Sequence, residues 1–409
     1  MNTSRRGRRA CVKLRRMAAP LLSIAEARER VLHAAAPLTT EEVGVDDALG
    51  RVLAEEVRAA RDVPGFRNSA MDGYAVRSGK ADRDLLVIAE SRAGRPADVA
   101  LGYGEAIRIS TGAMLPEGAD AVLQQELVDD RGERITLLDA VDPGRNVREA
   151  GEDLRSGAHV LGAGMRLGPA ELGVAVNAGR ASLRCARRPR VAVLATGDEL
   201  LPAGADLGPG QIHDSNRVTL AALARRDGAD VVLARVVPDH AAATRRAIGE
   251  ALETADVVLL SGGVSVGPHD HVKPALAELG VEERFWRVAL RPGKPTWFGA
   301  RGRTLVFGLP GNPVSAMVTF LLFARPALAA LQWAEPPAGG RVVLGERLMC
   351  HADRDECVRV RVEDGRAFAT GPQGSHVLVS MALADGLVVV PRGEGQALAA
   401  GTEVELLAV

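Results

Sequence analysis

The chain has 409 residues, which is too long for one ordinary hydrophobic core and predicts two to four domains. Its hydrophobic content of 47% and charged content of 25% are typical of a soluble globular protein. The formal net charge of -1 and the aromatic content of 3% argue against binding to nucleic acid or to an anionic membrane.

Residues 1–17 are basic and contain no acid, and we expect them to form a disordered tail. The cysteines, Cys11, Cys185, Cys350 and Cys357, form no C-x-x-C pair. This spacing argues against a zinc ribbon and favours a reducing compartment, so we expect a cytoplasmic protein. No apolar run approaches the length that spans a bilayer, and we expect no membrane partner.

The N-terminal part of the chain mixes helical and strand signals. Ser23 and Glu26 have the spacing of a capping box and predict a helix that starts there. A second helix is predicted near residues 45–60. The segments 18–60 and 158–188 are therefore expected to pair as one helical domain. Between them, residues 61–157 alternate short apolar runs with Gly and Pro turns, which predicts a small β-rich inserted domain.

The C-terminal half shows two further patterns. In residues 189–335 apolar strands alternate with helices, which predicts a three-layer α/β domain with a mostly parallel sheet. Residues 336–409 contain short apolar strands and no helical stretch, which predicts a β-barrel-like domain. The expected fold class is multidomain α/β and β: a central α/β domain flanked by a helical or mixed domain, a small β-rich domain and the C-terminal barrel.

Polar, glycine-rich turns follow the predicted strands of the α/β domain. Ligands bind outside the carboxyl ends of the strands in an open parallel sheet, so we expect these turns to form one site. Asn312 suits a helix N-cap and Pro313 the first helical position, which would leave N–H groups free for a phosphate or oxyanion. The candidate residues of the turns are Thr196, Glu199, Asp239, Gly262, Gly263, Asp270, Pro310, Gly311 and Asn312.

Carboxylates beside an anion cradle suit Mg²⁺, so Glu199, Asp239 and Asp270 are the predicted metal ligands. The turn "LRPGKPTWFG" adds Arg291 and Lys294, which become ligand candidates because they follow the anion cradle closely in the chain.

A hydrolase is the alternative interpretation of the stretch "SGGVSVGPHDH", which begins at Ser261. Its G-x-S-x-G pattern places Ser265 as a candidate nucleophile. Ser265 follows the predicted strand by several residues, and Pro268 interrupts the segment behind it. A nucleophile elbow instead needs the serine on the turn itself, so the signal is weak.

The motifs taken together resemble the MoeA family, whose eukaryotic relative is the C-terminal domain of gephyrin. They occur in family order from about Ser23 to Val409, and they are "VPGFRNSAMDGYAVR", "ISTGAMLPEGADAV", "GEDL", "ATGDEL", "GQIHDSN", "SGGVSVG", "RPGKP" and "GLPGNPVSA". The resemblance implies a molybdopterin molybdenumtransferase that uses adenylylated molybdopterin and molybdate and releases AMP with Mg²⁺ present.

The resemblance also implies a four-domain homodimer in which 18–60 plus 158–188 form the dimerisation domain. Partners of such an enzyme would be an upstream molybdopterin adenylyltransferase and molybdoenzyme chaperones. Because the gephyrin relative also anchors receptors, a non-catalytic scaffold is a second alternative. A complete set of acids and cations argues against it.

Matching motifs carry the family's functional residues onto this chain. The implied catalytic acids are Asp72, Asp153, Glu199, Asp239 and Asp270, and the implied substrate-binding residues are Thr111, Thr196, Gly262, Gly263, Ser265, Arg291, Lys294, Pro310, Gly311, Asn312, Arg359 and Ser375. Within this set, Arg359 and Ser375 match positions near the family's molybdate pocket. The chain departs from the family at His213, where tyrosine is usual, and at Cys357, where an aromatic residue is common.

Overall fold

The computed structural model describes residues 21–264 and 270–409, and these residues form two units. Leu38–Arg187 is one unit, which we call the insert unit. The described residues before and after it in the chain make up the other, which we call the main unit. The tail predicted for residues 1–17 lies outside the described residues. The main unit is thus assembled from two separate stretches of sequence.

The main unit begins with helix α1, Ile24–Ala34, whose N-cap is Ser23. Ser23 Oγ accepts the N–H of Glu26 at 3.2 Å, and the Glu26 carboxylate accepts the N–H of Ser23 at 2.8 Å. The predicted capping box is therefore confirmed. Ala27 and Val31, four residues apart and so on one face of the helix, are fully buried.

The insert unit, all of whose residues are described, is mainly β-structure with one α-helix, α2 (Pro169–Asn177). Strands β7-β4-β6-β5-β9-β8 form one mixed sheet, and the others pair as β1–β12, β10–β3 and β11–β2. The strands are β1 (Thr40–Gly44), β2 (Val57–Arg58), β3 (Asn68–Ser69), β4 (Gly73–Val76), β5 (Asp84–Ser91), β6 (Glu105–Ile109), β7 (Ala121–Gln124), β8 (Val128–Asp130), β9 (Arg134–Leu137), β10 (Val147–Arg148), β11 (His159–Leu161) and β12 (Ser182–Ala186).

The six-stranded sheet of the insert unit is buried on both faces. Tyr74 and Val76 of β4 belong to one hydrophobic cluster, and Ala75 between them belongs to another. Successive side chains of a strand point to opposite faces, so this alternation places one cluster on each side of the sheet.

The helix predicted near residues 45–60 is wrong. That segment contains a 3₁₀ turn, Val45–Asp47, and the short strand β2. Gly50 has φ +73, a left-handed conformation that ends any helix at this point. Val52 and Leu53 instead form β-bridges with distant segments and are buried. The segment 18–60 therefore contributes one α-helix, α1.

The main unit contains a six-stranded sheet in the order β16-β13-β17-β21-β20-β18. The first four strands are parallel, and β20 and β18 each pair antiparallel with the strand before them in that order. The strands of this part of the chain, of which β14, β15 and β19 lie outside this sheet, are β13 (Arg190–Thr196), β14 (Leu200–Leu201), β15 (Ile212–His213), β16 (Asp230–Val237), β17 (Val257–Ser261), β18 (Glu282–Trp286), β19 (Leu290–Arg291), β20 (Trp297–Arg301) and β21 (Thr304–Leu309).

Helices cover both faces of this sheet and confirm the predicted α/β fold. Helices α4 and α5 pack together over one face, where Leu194 and Leu260 of the sheet meet Ile248 and Leu276. Helices α3 and α6 pack together over the other. The helices are α3 (Asn216–Arg226), α4 (Ala241–Thr254), α5 (Val272–Glu278), α6 (Pro313–Thr319) and α7 (Arg325–Leu331).

A π-helical turn, Phe320–Ala324, joins α6 to α7. Pro326 has no N–H and cannot donate to the carbonyl of Leu322, one turn earlier. Arg28 of α1 donates from Nε to that carbonyl at 3.4 Å instead. By length and composition Pro313–Leu331 could span a membrane, contrary to our expectation from the sequence, but 89% of its most apolar window is buried inside the protein. A core helix passes the same test.

The C-terminal strands form a closed, barrel-like sheet, as predicted. The ring runs β24-β25-β22-β28-β26 and closes through β24–β26, while β19 pairs with β24 from outside the ring. The expectation of no helix in this part is wrong, because the short helix α8 (Leu378–Ala382) precedes β26. The strands are β22 (Gly340–Leu344), β23 (Leu348–Met349), β24 (Asp355–Glu363), β25 (Arg366–Ala369), β26 (Gly386–Val390), β27 (Ala397–Leu398) and β28 (Glu403–Ala408).

A polar cluster links three strands of the insert-unit sheet, β4, β6 and β8. Tyr74 Oη donates to Asp130 Oδ2 at 2.5 Å, and Arg108 Nη2 donates to the same oxygen at 2.8 Å. The hydrogen bond from Tyr74, then those from Gly132 and Arg108, lower the pKa of Asp130 from 3.8 to about 2. Burial, and then the bond to Asp130, raise the pKa of Tyr74 to about 12.

We expect this cluster to make the stability of the insert unit acid-sensitive. A carboxylate whose pKa is lowered on folding contributes stability above its ordinary pKa of 3.8, and loses it as the pH falls through about 2. Tyr74→Phe should therefore reduce the difference in unfolding free energy between pH 5 and pH 2, measured by urea denaturation. Tyr103→Phe is the control, because Tyr103 is 91% exposed. Equal pH differences in both variants would contradict the assignment.

Candidate functional site

The carboxyl ends of the parallel strands meet at a pocket of about 300 Å³. Seven of its lining residues were candidates from the sequence: Thr196, Glu199, Asp239, Gly262, Gly263, Asp270 and Gly311. Four others were not: Leu200, Ile212, Asn216 and Ser261. The structure therefore brings together turns that are separated by more than 100 residues in the chain, at the carboxyl ends of the parallel strands.

A glycine turn after β17 forms one wall of the pocket. Gly262 and Gly263 have φ values of +89 and +64, which glycine adopts without strain. A Cβ on Gly262 would lie 2.8 Å from the carbonyl oxygen of Thr196, and one on Gly263 would lie 2.6 Å from Cγ2 of Val272. No side chain fits at either position, so the end of β17 can approach that of β13 closely.

The N–H of Gly262 is already used, because it donates to the carbonyl of Leu309 at 3.2 Å. The predicted phosphate cradle therefore excludes this group. Residues 265–269, which continue the same motif, lie outside the described residues. Ser265, the candidate nucleophile of the hydrolase alternative, is one of these.

The turn after β21 is the second part of the expected cradle. Asn312 is the N-cap of α6 and Pro313 its first residue, as predicted. The expectation of free N–H groups is wrong for Val314, whose N–H donates to the carbonyl of Ser375 at 3.2 Å. Asn312 Nδ2 also donates to Ser375 Oγ at 2.9 Å. This helix start is therefore tied to the C-terminal part of the chain.

Asn216 joins the two glycine-containing turns. Its Nδ2 donates to Ser261 Oγ at 2.8 Å and to the carbonyl of Gly311 at 2.6 Å. A carbonyl can only accept, so these bonds fix which atom of the amide faces them. Asn216 Oδ1 is left buried without a hydrogen-bond partner in the protein. Sequence reasoning missed this residue, although it ends the motif "GQIHDSN".

The donor atoms of the pocket suit a hard cation. Glu199, Asp239 and Asp270 all line it, and Thr196 Oγ1 is buried without a hydrogen-bond partner. Among the described residues, no three His, Cys, Asp or Glu side chains converge closely enough to hold a metal ion by themselves. Oxygen donors of this kind fit Mg²⁺ bound through one or two carboxylates together with substrate phosphates. Which of the three acids would contact it stays a prediction.

Arg359 occupies an unusual position on β24. The residue is fully buried, and its Nη2 donates to the carbonyls of Pro372 and Gly374 at 3.1 and 3.3 Å. Its Nε and Nη1 atoms are buried without a hydrogen-bond partner. Burial lowers the pKa of Arg359, and nearby Glu356 opposes that effect. Two guanidinium donors are thus available next to the loop that carries Ser375.

The two cations of the "RPGKP" turn differ in their surroundings. Arg291 Nε lies 3.5 Å from Glu356 Oε1, which is mostly buried. Lys294 is exposed and forms no salt bridge with any acid in the described part of the chain. The pairing of β19 with β24 places this turn beside the strand of Arg359. Lys294 is therefore the more available of the two charges.

A further pair of cations, not identified from the sequence, lies on Trp286 at the end of β18. Lys273 Nζ is 3.1 Å from the centre of the indole ring, and the guanidinium carbon of Arg287 is 3.9 Å from it. Burial lowers the pKa of Lys273, whereas Asp270 and Glu283 raise it. Because β18 is parallel to β21, this cluster lies at the same edge of the sheet as the pocket.

Three of the predicted residues lie in the insert unit. Asp72 Oδ1 accepts the N–H of Thr111 at 2.7 Å and its Oγ1–H at 3.1 Å, so these two candidates form a pair. Asp153 is exposed and lines a separate hollow with Asn68 and Arg148. The structure thus brings Asp72 and Thr111 together, whereas Asp153 lines a separate hollow.

Comparison with known proteins agrees with this architecture. Family models match residues 22–179 as "MoeA N-terminal region (domain I and II)", 192–330 as "Probable molybdopterin binding domain" and 341–409 as "MoeA C-terminal region (domain IV)". A molybdopterin molybdenumtransferase of Haemophilus influenzae is 40% identical over 78% of this chain and 80% of its own.

Two other relatives cover more of the chain. A molybdopterin molybdenumtransferase of Nostoc is 37% identical over 87% of this chain and 86% of its own. The crystal structure of a molybdopterin biosynthesis MoeA protein from Pyrococcus horikoshii aligns with a TM-score of 0.81 at 29% identity, over 95% of this chain and 100% of that one. The chain belongs to the MoeA family.

Proposed function

We propose that this protein is a molybdopterin molybdenumtransferase, which inserts molybdate into adenylylated molybdopterin and releases AMP. The observation that carries the proposal is the pocket at the strand ends, where a glycine turn adjoins three carboxylates. The names of relatives that match most of the chain support the same activity. We further propose that it acts in the cytoplasm as a homodimer, supplied by a molybdopterin adenylyltransferase and serving molybdoenzyme chaperones.

The pocket suits the phosphate end of such a substrate. We propose that Glu199, Asp239 and Asp270 hold Mg²⁺ there, with Thr196 and Gly263 beside the phosphates. Bound Mg²⁺ would neutralise phosphate oxygens and stabilise the charge that develops on departing AMP. Asn216 keeps the two glycine turns in place through its bonds to Ser261 and Gly311, so the phosphates meet a preorganised wall.

A second set of residues suits molybdate. A dianion must lose its water shell to react, and only fixed positive charge and hydrogen-bond donors offset that cost. Arg359 has two buried donors without partners, and Lys294 has an exposed charge without a salt bridge in the described chain. We propose that these residues, with Ser375 and Arg291, bind molybdate. Ser375 contacts Asn312, which follows the pocket residue Gly311.

In the insert unit we propose that Asp72, Thr111 and Asp153 contribute to the reaction. The bond between Asp72 and Thr111 supports this for the first two, because it fixes a carboxylate whose second oxygen is not used by Thr111.

The activity is tested by AMP release from adenylylated molybdopterin, with and without molybdate. Asp270→Asn should slow AMP release more than tenfold, equivalent to about 1.4 kcal/mol or more of transition-state stabilisation. Its circular dichroism spectrum should not change. Asp206→Asn, an exposed acid on the same loop as Glu199 but outside the pocket lining, should keep full activity. Wild-type turnover by Asp270→Asn would remove Asp270 from the site.

Molybdate should stabilise the folded protein through Arg359. A ligand present at about 100 times its Kd adds about 2.7 kcal/mol to the unfolding free energy. We expect molybdate to raise the Tm of the wild type and to leave that of Arg359→Met unchanged. Arg325→Met is the control, because Arg325 is also buried but donates hydrogen bonds to Asp227 and to the carbonyl of Ala408. It should be less stable yet keep the response to molybdate. A response of Arg359→Met equal to the wild type contradicts the assignment.

Lys294 should set the molybdate concentration that the enzyme requires. With Lys294→Ala we expect the concentration for half-maximal AMP release to rise about tenfold, roughly 1.4 kcal/mol, because one fixed charge is lost. The affinity for the adenylylated pterin should change much less. Arg291→Ala is the comparison, and we expect a smaller effect because Arg291 is paired with Glu356. If half-saturation is unaltered in Lys294→Ala, this lysine is a solvated surface residue.

A further inference from the structure

The pocket at the strand ends has one apolar wall, made by Leu200 and Ile212. These are its two aliphatic lining residues among those described, and the remaining lining is formed by glycines and by polar or acidic side chains. We call the pair the apolar wall. Ile212 is 53% exposed, although it is a large aliphatic residue in an ordered strand. The protein thus leaves an aliphatic surface open beside three carboxylates.

The backbone holds the two wall residues side by side. Strands β14 and β15 are parallel, and Leu200 and Ile212 are partners in their register. Partners on neighbouring strands project to the same face, so the two side chains form one surface. The N–H of Ile212 donates to the carbonyl of Glu199 at 2.9 Å. The apolar wall is therefore fixed next to a carboxylate of the pocket.

The connecting loop is closed by its own hydrogen bonds. A ring nitrogen of His213 lies 3.0 Å from the carbonyl oxygen of Ala205, and the N–H of Asp214 donates to the carbonyl of Leu201 at 2.8 Å. The loop also exposes Leu207, at 46%, which does not line the pocket. The loop thus offers an exposed leucine outside the pocket for comparison with the apolar wall.

A third group of the pocket points to the same kind of ligand. Asn216 Oδ1 is a buried acceptor without a donor in the protein, and its orientation is fixed by the bond from Nδ2 to the Gly311 carbonyl. A buried acceptor is costly unless a donor reaches it. A flat heterocycle carries N–H donors on its edge and an apolar face, so it suits both Asn216 and the apolar wall.

We propose that Leu200 and Ile212 bind the face of a fused heteroaromatic ring of the substrate, and that this contact helps to select ligands carrying such a ring. The inference rests on the proposed function and adds the part of the substrate that these residues contact. Adenine and the pterin are both fused nitrogen heterocycles, so the shared chemistry is that of a flat ring attached to a phosphate.

The test uses isothermal titration calorimetry to compare a ligand that carries a heteroaromatic base with one that lacks it. Ile212→Ser should weaken the binding of AMP about five- to tenfold, because part of an aliphatic contact is lost. Binding of ribose 5-phosphate, which has the same sugar and phosphate but no heteroaromatic base, should not change. Leu207→Ser should bind both ligands as the wild type does, and Ile212→Val should restore most of the affinity for AMP.

The remaining outcomes are distinct. If Ile212→Ser binds AMP normally but binds a free pterin more weakly, the wall contacts the pterin and the proposal stands. If Ile212→Ser binds both AMP and the pterin as the wild type does, the proposal is overturned. A change in the oligomeric state of this variant, with normal binding of both ligands, would overturn it as well. If the wild type binds neither ligand, the proposed function fails together with this inference.

Discussion

The site of the main unit depends on the close approach of two neighbouring parallel strand ends. β13 and β17 end at Thr196 and Ser261, and the glycine turn that follows β17 lies against the Thr196 carbonyl. Any Cβ at Gly262 would force these ends apart. Asn216 then ties the same turn to the one after β21. The spacing of the pocket walls is therefore set by contacts within the protein, from the backbone at Gly262 and from the side chain of Asn216.

Much of this arrangement follows from the sequence. Alternating strands and helices identified the α/β sheet, and the polar turns after its strands identified seven lining residues of the pocket. Such inferences succeed because they use local periodicity together with a general property of parallel sheets. The capping box at Ser23 and Glu26 is equally local, since both partners lie within one helical turn.

Three of the failed expectations share a different property, because each depends on a partner distant in sequence. The N–H of Val314 is taken by Ser375 and that of Gly262 by Leu309. Neither pairing is visible in the motif that contains the donor. Near residues 45–60, the apolar residues resembled a helix face, but Val52 forms a bridge with Arg166 more than 100 residues away. Tertiary pairing overrides local preference in such segments.

Arg359 is a charged residue on a strand of the barrel, and we propose that it binds molybdate. A strand in a closed sheet favours apolar side chains, and Arg359 lies on β24 between Val358 and Val360. Its neighbours satisfy one end of the guanidinium with the carbonyls of Pro372 and Gly374 and leave two nitrogens without partners. Unpaired buried donors destabilise a fold. Under the proposed function, molybdate accepts hydrogen bonds from these two nitrogens and offsets that cost.

The bond between Arg28 and the carbonyl of Leu322 has a consequence for the order of synthesis. Its two residues are 294 positions apart, and the whole insert unit lies between them. On the ribosome α1 emerges before its partner helix, and at about 5–20 residues per second it waits on the order of 15–60 s. An isolated helix of 11 residues is marginal in water. The insert unit is continuous in sequence, so it can complete its sheet during this interval. Helix α1 instead packs into the core of the main unit, which is synthesised last.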